Sequence, residues 1–179
     1  MSLLMNRWIL LFLAVVGLLP ACRKDKRPEL FDMSYFVDFN IQPGLNTFDT
    51  HFYVISPLTS QLDARLSALG LTREDVVAIE PKAAYLSSIF EDYDLDFIHR
   101  ISVQVFDPFD PSDRIEFLYL DPVPFRRKTG IQPFPGIADV SPWFERPFFG
   151  IEIRLDYREV TPSLIQMRLE FALSVKGKE

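Results

Sequence analysis

One cysteine and two histidines among 179 residues remove whole classes of chemistry from this chain. A single cysteine allows no disulfide within one chain, so the fold must hold by packing alone. His51 and His99 stand in no metal-ligand spacing and beside no nucleophile motif, which leaves them structural roles. The G-x-S-x-G, H-E-x-x-H, Walker and dinucleotide-binding glycine patterns are all missing. Asp92, Asp94 and Asp96 open like a calcium loop, but Phe97 stands where an EF-hand needs glycine and Val103 where it needs the bidentate glutamate. Asp107, Asp110 and Asp113 are interrupted by Pro108 and Pro111 and read as a solvated hairpin turn. No metal and no cofactor is expected. Internal repeats and low-complexity tracts are lacking as well.

Long apolar runs are scarce too. Trp8 to Leu19 is unbroken except for Gly17 and follows Arg7. Twelve helical residues would reach only about 18 Å, against a hydrocarbon core of roughly 30 Å. A run of that length fits the apolar part of a removable signal better than a membrane span. Positive charge is equally uneven. The formal charge is −6, yet Arg7 carries +1 and Arg23, Lys24, Asp25, Lys26 and Arg27 sum to +3, so Pro28 onward carries −10. An acidic body disfavours a nucleic-acid partner, and a basic tether beside it suits anionic head groups or plain solvation.

Leu19-Pro20-Ala21-Cys22 closes the apolar run, and this stretch resembles the lipobox of bacterial lipoproteins, with Pro20 departing from the usual small or β-branched residue. The resemblance implies a diacylglycerol thioether at Cys22, removal of residues 1–21 and membrane anchoring through the lipid. It also implies an outer-membrane, periplasm-facing address, since Arg23 is not the aspartate that marks inner-membrane retention in enteric lipoproteins. The expected organisation is a signal peptide over 1–21, a lipidated tether over 22–29 and one domain over 30–179, a size able to bury a real core. The body, including Phe39 to Thr47 and the histidine-aromatic stretch after it, is loosely similar to uncharacterised lipoproteins of Bacteroidota.

What the body does have is period-two alternation. Tyr35, Val37, Phe39 and Ile41 predict a half-buried strand that turns at Pro43-Gly44. Phe48, Thr50, Phe52 and Val54 predict a second, inward through those residues. Leu58, Leu62, Leu66 and Leu69 share one helical face, with Gly70 as the stop. Thr72 and Asp75 suit a cap for a further short turn. Val76 to Ile79 and Ala83 to Phe90 read as extended segments divided by Pro81. Ile101, Val103 and Val105 with Ile115, Phe117 and Tyr119 predict a hairpin. Ser141-Pro142 predicts the cap and first residue of a short helix. Phe149 to Tyr157 and Ile165 to Val175 are the clearest strands, expected to pair as a hairpin with Arg154 opposite Glu170 and Asp156 opposite Arg168. Seven or eight such strands with one short amphipathic helix imply an all-β fold. The expected form is an immunoglobulin-like or jelly-roll-like antiparallel β-sandwich, with a barrel as the alternative.

Function is expected on the connection from Asp121 to Phe149. It concentrates Phe125, Phe134, Trp143, Phe144, Phe148 and Phe149 beside Arg126, Arg127 and Lys128, the one positive cluster of the body. Aromatics with a basic neighbour suit a partner surface, a sugar ring or an anionic head group; the competing reading makes the aromatics a plug for the end of the sandwich. Two classes of activity follow. One is a lipid-anchored cell-envelope binding or assembly module, with an envelope protein or glycan as partner, which calls for an exposed apolar patch. The other is an envelope hydrolase of glycan or peptide, which calls for a cleft with two convergent carboxylates.

Overall fold

The computed structural model describes residues 27–90, 93–125, 129–161 and 163–178. The expected signal segment, Cys22, most of the tether and the trio Arg126, Arg127 and Lys128 lie outside the described residues.

Nine strands form two antiparallel sheets. They are β1 (Glu29–Ile41), β2 (His51–Thr59), β3 (Val76–Ser88), β4 (Ile98–Asp107), β5 (Asp110–Leu120), β6 (Gly130–Ile131), β7 (Phe134–Pro135), β8 (Phe148–Tyr157) and β9 (Ile165–Gly177). One sheet has the order β1-β9-β3-β6 and the other β2-β8-β4-β5-β7. The pairs β1·β9, β2·β8, β3·β6 and β4·β5 are nested one inside the next. The chain is thus one long antiparallel ribbon, doubled back at Pro108-Phe109 and wound on itself until β9 also meets β3 and β8 meets β4. Eight strands wound in this way make a jelly roll, the second of the two expected sandwiches.

That winding overturns the expected terminal hairpin. β8 and β9 lie in different sheets, and neither Arg154–Glu170 nor Asp156–Arg168 is a cross-strand pair. The charges are matched all the same, by partners distant in sequence. Arg168 holds Asp38 of β1 at 2.7 and 2.8 Å, and Arg100 of β4 holds Asp156 at 2.7 Å. The alternation itself is as expected, with Phe149, Ile151, Ile153, Leu155 and Tyr157 of β8 and six alternate residues of β9 from Ile165 to Val175 all buried.

Two strands depart from their expected faces. In β2 the inward residues are Tyr53 and Ile55, whereas Phe52 and Val54 point to solvent. Tyr53 wins the interior because its ring meets Phe39 at 4.7 Å and its hydroxyl meets that of Tyr157 at 2.7 Å. Burial pushes both phenols up, so the pair stays protonated. Phe52 is instead covered from outside by the Arg154 guanidinium. In β5, Val103 faces Leu118 while Gln104 faces Glu116, so Phe117 is the extra residue of a bulge. The bulge inverts the alternation beyond it, burying Leu118 and turning Tyr119 outward.

Helix α1 (Leu62–Ala68) buries Leu62 and Leu66 and ends as expected at Gly70. With φ of +69° at that glycine, Gly70 N–H donates to Ser67 and Leu71 N–H to Leu66, a Schellman closure. The helix starts after Leu58, which belongs to β2, and Leu69 is exposed. Thr72 and Asp75 do cap a 3₁₀ turn, Arg73–Asp75. Pro81 does not split the next segment in two; β3 runs through it with a register shift between Pro81 and Ala83. Helix α2 (Ser141–Phe144) begins at Ser141 itself, and the Asp139 carboxylate accepts from its backbone N–H at 3.0 Å.

At the end of the four-stranded sheet where β1 begins, the residues just ahead of that strand already touch the body. Arg27 pairs with Glu80 at 2.8 Å, and Gly177 N–H donates to the Pro28 carbonyl. Beside them Lys82 reaches across the sheet to Glu29 at 2.9 Å and Asp32 at 2.5 Å. The Lys82 ammonium first, then Ser174, hold the Glu29 carboxyl well down, to about 2. A depressed folded-state value contributes stability above the unfolded value, lost as pH falls through the folded one. The Tm difference between parent and Glu29→Gln should therefore be largest near neutrality and vanish as pH falls toward about 2. A difference independent of pH would refute this linkage.

Candidate binding surface

β1 and β3 both run toward one end of the sandwich, and β9 starts there. The described residues of four connections meet at that end: 42–50, 89–90 with 93–97, 121–125, and 158–161 with 163–164. Turn residues such as Pro43-Gly44 and Asp94 set their local course, but hydrogen bonds between loops fix them to one another. Thr161 joins two of them, its Oγ1 donating to the Gln42 carbonyl at 2.6 Å and accepting from Leu45 N–H at 3.0 Å. Its carbonyl accepts from Gly44 N–H at 2.8 Å. Arg158 joins the other two, with its guanidinium donating to the carbonyls of Asp96, Ile98 and Val123. Tyr93 and Ser163 share a further hydroxyl contact.

This tied platform displays apolar side chains. Phe48 is 94% exposed and Phe125 is 69% exposed, and Phe90, Val160 and Leu164 are also open to solvent. The Arg158 guanidinium lies 5.7 Å from the Phe125 ring centroid, which orients that ring without covering it. The basic trio follows Phe125 directly in the chain.

The expected site residues divide accordingly. Phe125 belongs to the platform. Phe134 is exposed on β7, its ring 6.4 Å from that of Tyr119. Trp143 and Phe144 are core residues: Trp143 is 8% exposed with its indole N–H donating to the Asp113 carbonyl at 3.0 Å, and Phe144 packs on Phe149 at 4.4 Å. They plug the end of the sandwich remote from the platform, together with Phe149. Phe48 was expected to face inward on the second strand, but β2 starts only at His51 and leaves Phe48 in the preceding loop; Phe90, Val160 and Leu164 were not among the expected site residues. Apolar residues set among Asn, Asp, Pro and Gly were the available signal.

Carboxylates are engaged elsewhere. Asp107 and Asp113 of the expected acidic turn both pair with Arg146. Glu116 and Asp121 share a hollow of about 280 Å³ on the outer face of the five-stranded sheet. Within it Glu116 accepts from the Ser102 hydroxyl, while Arg100 is paired with Asp156 and Arg154 with Glu152. His51 stacks on Tyr157 at 4.9 Å with Nε2 against the Asn46 carbonyl, and His99 is exposed.

The fold thus defines a jelly-roll β-sandwich with a rigid loop platform at one end. No protein-family model matches the chain, and no curated protein matches its sequence. Among solved structures, a chain from Desmodium yellow mottle tymovirus is similar over 90% of this chain and 95% of its own, with 12% identity and a TM-score of 0.25.

Proposed function

We infer that the chain is a lipid-anchored binding or assembly module of the cell envelope, held by Cys22 and docking an envelope protein through the loop platform. One observation carries this reading: the tether and the platform are at opposite ends of the molecule. The 13 residues of β1 separate them by roughly 40 Å at about 3.3 Å per residue. An anchor at Cys22 would therefore hold the exposed aromatics away from the bilayer, where a partner can reach them. Side chains that would otherwise cost solvation are kept open on loops locked by Thr161 and Arg158, so little ordering is needed on binding. Exposed aromatic groups, with basic residues next to Phe125 in sequence, match the composition of partner surfaces.

Two results test it. Cys22→Ser should move the protein from the membrane to the soluble fraction, and normal membrane retention of that variant would sink the anchor. A photo-crosslinking residue placed at Phe48 or Phe125 in cells should yield a protein adduct. The same residue at Phe109, equally open at the tether end, should yield none. Equal yields from both ends would sink the platform.

A further inference from the structure

The outer face of the four-stranded sheet carries a trough that the platform does not use. Its floor is one cross-strand row of small residues, Ser34, Ala172 and Ala83. The next row, Phe36, Glu170 and Tyr85, forms a wall along it. With strands about 4.8 Å apart, the two aromatic residues stand about 9.5 Å apart, with the carboxylate between them. The hollow measures about 550 Å³ and runs on past Tyr85 into another of about 580 Å³ beside Pro124, Pro133 and Phe134. Those sizes are within the range of built ligand sites.

Both rings are supported from behind. Tyr85 lies so close over Gly130 that a Cβ there would sit 2.0 Å from its hydroxyl oxygen. Phe36 is 65% exposed yet backed by the Arg168 guanidinium at 4.8 Å from its centroid, which Asp38 holds in turn. Among the described residues, the neighbouring cations Arg168 and Lys82 are paired, Arg168 with Asp38 and Lys82 with Glu29 and Asp32. By contrast the Glu170 carboxylate and the Gln132 side-chain amide, both lining the trough, have no side-chain hydrogen bond or salt bridge to another described residue, although the Arg168 guanidinium acts on Glu170 electrostatically.

We propose that this trough binds a neutral oligosaccharide chain. The Glu170 carboxylate in the wall disfavours a phosphate or other anion. Two fixed aromatic faces over a smooth floor accept the flat apolar faces of sugar rings, and hydroxyls can satisfy an acceptor carboxylate and a donor-acceptor amide together. The volumes of the two joined hollows leave room for more than one sugar ring. This site is independent of the reading above, since it neither uses the platform nor requires the anchor.

The test is calorimetric titration of the detergent-solubilised protein with neutral hexasaccharides of glucan, mannan and chitin type, and with oligolysine. At least one saccharide should bind, and Phe36→Ala and Tyr85→Ala should each weaken it about tenfold or more. Gly130→Ala, which displaces the Tyr85 ring, should weaken it similarly. Glu170→Gln keeps an acceptor and should stay within about threefold, whereas Glu170→Ala should lose about tenfold. Circular dichroism and Tm establish that each variant is folded. The proposal is overturned if no saccharide binds, if binding survives both aromatic substitutions, or if oligolysine binds instead and Glu170→Gln abolishes it.

Discussion

Phe149→Ala should lower stability by about 3–5 kcal/mol, a fall in Tm of roughly 6–20 °C for a chain of this size. Phe149 is fully buried and is the hinge of an aromatic cluster. Its ring meets Phe144 at 4.4 Å and Tyr35 at 5.3 Å, and Tyr35 in turn stacks on Phe171 at 5.3 Å. These four residues come from β8, α2, β1 and β9, so the void would open where both sheets and the plug meet. Alternate packing cannot fill it cheaply, because the neighbours are rings already in contact. The adjacent Phe148 points outward and is partly exposed; Phe148→Ala should stay within about 1 kcal/mol of the parent. Thermal unfolding of the two variants side by side checks the assignment of faces, and equal losses would contradict it.

The second large effect belongs to Arg158. Its guanidinium donates to three carbonyls, those of Asp96 and Val123 in two separate loops and of Ile98 at the start of β4. Arg158→Met keeps the stem but removes every donor, leaving partly buried carbonyls without partners. The expected cost is roughly 1.5–3 kcal/mol, the range for hydrogen bonds to charged groups and for orphaned acceptors. More telling is where the loss appears. Amide exchange should quicken at Val123, whose N–H donates to His99, and at residue 158, whose N–H donates to Phe97. The strand interiors of β8 and β9 should change little. Because Phe125 rests against Arg158, adduct formation at the platform should fall in the same variant. Unchanged exchange at both amides would mean that the loops are fixed by something else.

The inward faces of β1, β8 and β9 were legible in the sequence because each alternates with polar residues on the other side. Alternation names a face but not a neighbour, which is why β8 and β9 looked like a hairpin. Their charges suggested complementarity correctly, yet Arg168 finds Asp38 and Asp156 finds Arg100 through a winding that no local pattern encodes. β2 misled for another reason. Phe52, Tyr53, Val54 and Ile55 are all apolar or aromatic, so hydropathy could not choose a side, and the decision fell to the Tyr53–Tyr157 hydroxyl pair. Phe117 and Tyr119 share a phase in sequence and lose it at the bulge. Of the surface residues, Phe125 was visible beside its basic neighbours. Phe36, Glu170 and Tyr85 were not, since three strands far apart in the chain must be aligned before they form a row.

The nested ribbon has a consequence for the order in which the chain becomes available. Of the described strands β1 leaves the ribosome first, and it pairs with β9, which leaves last. Until the final strand emerges, Tyr35, Val37, Phe39 and Ile41 have no sheet to join, and the same holds for β2 until β8 arrives. At roughly 5–20 residues per second that interval is on the order of ten seconds. For that time a strand with an apolar face and two open edges is a template for aggregation. Covering β1 until Ile165–Gly177 is at hand would remove that exposure.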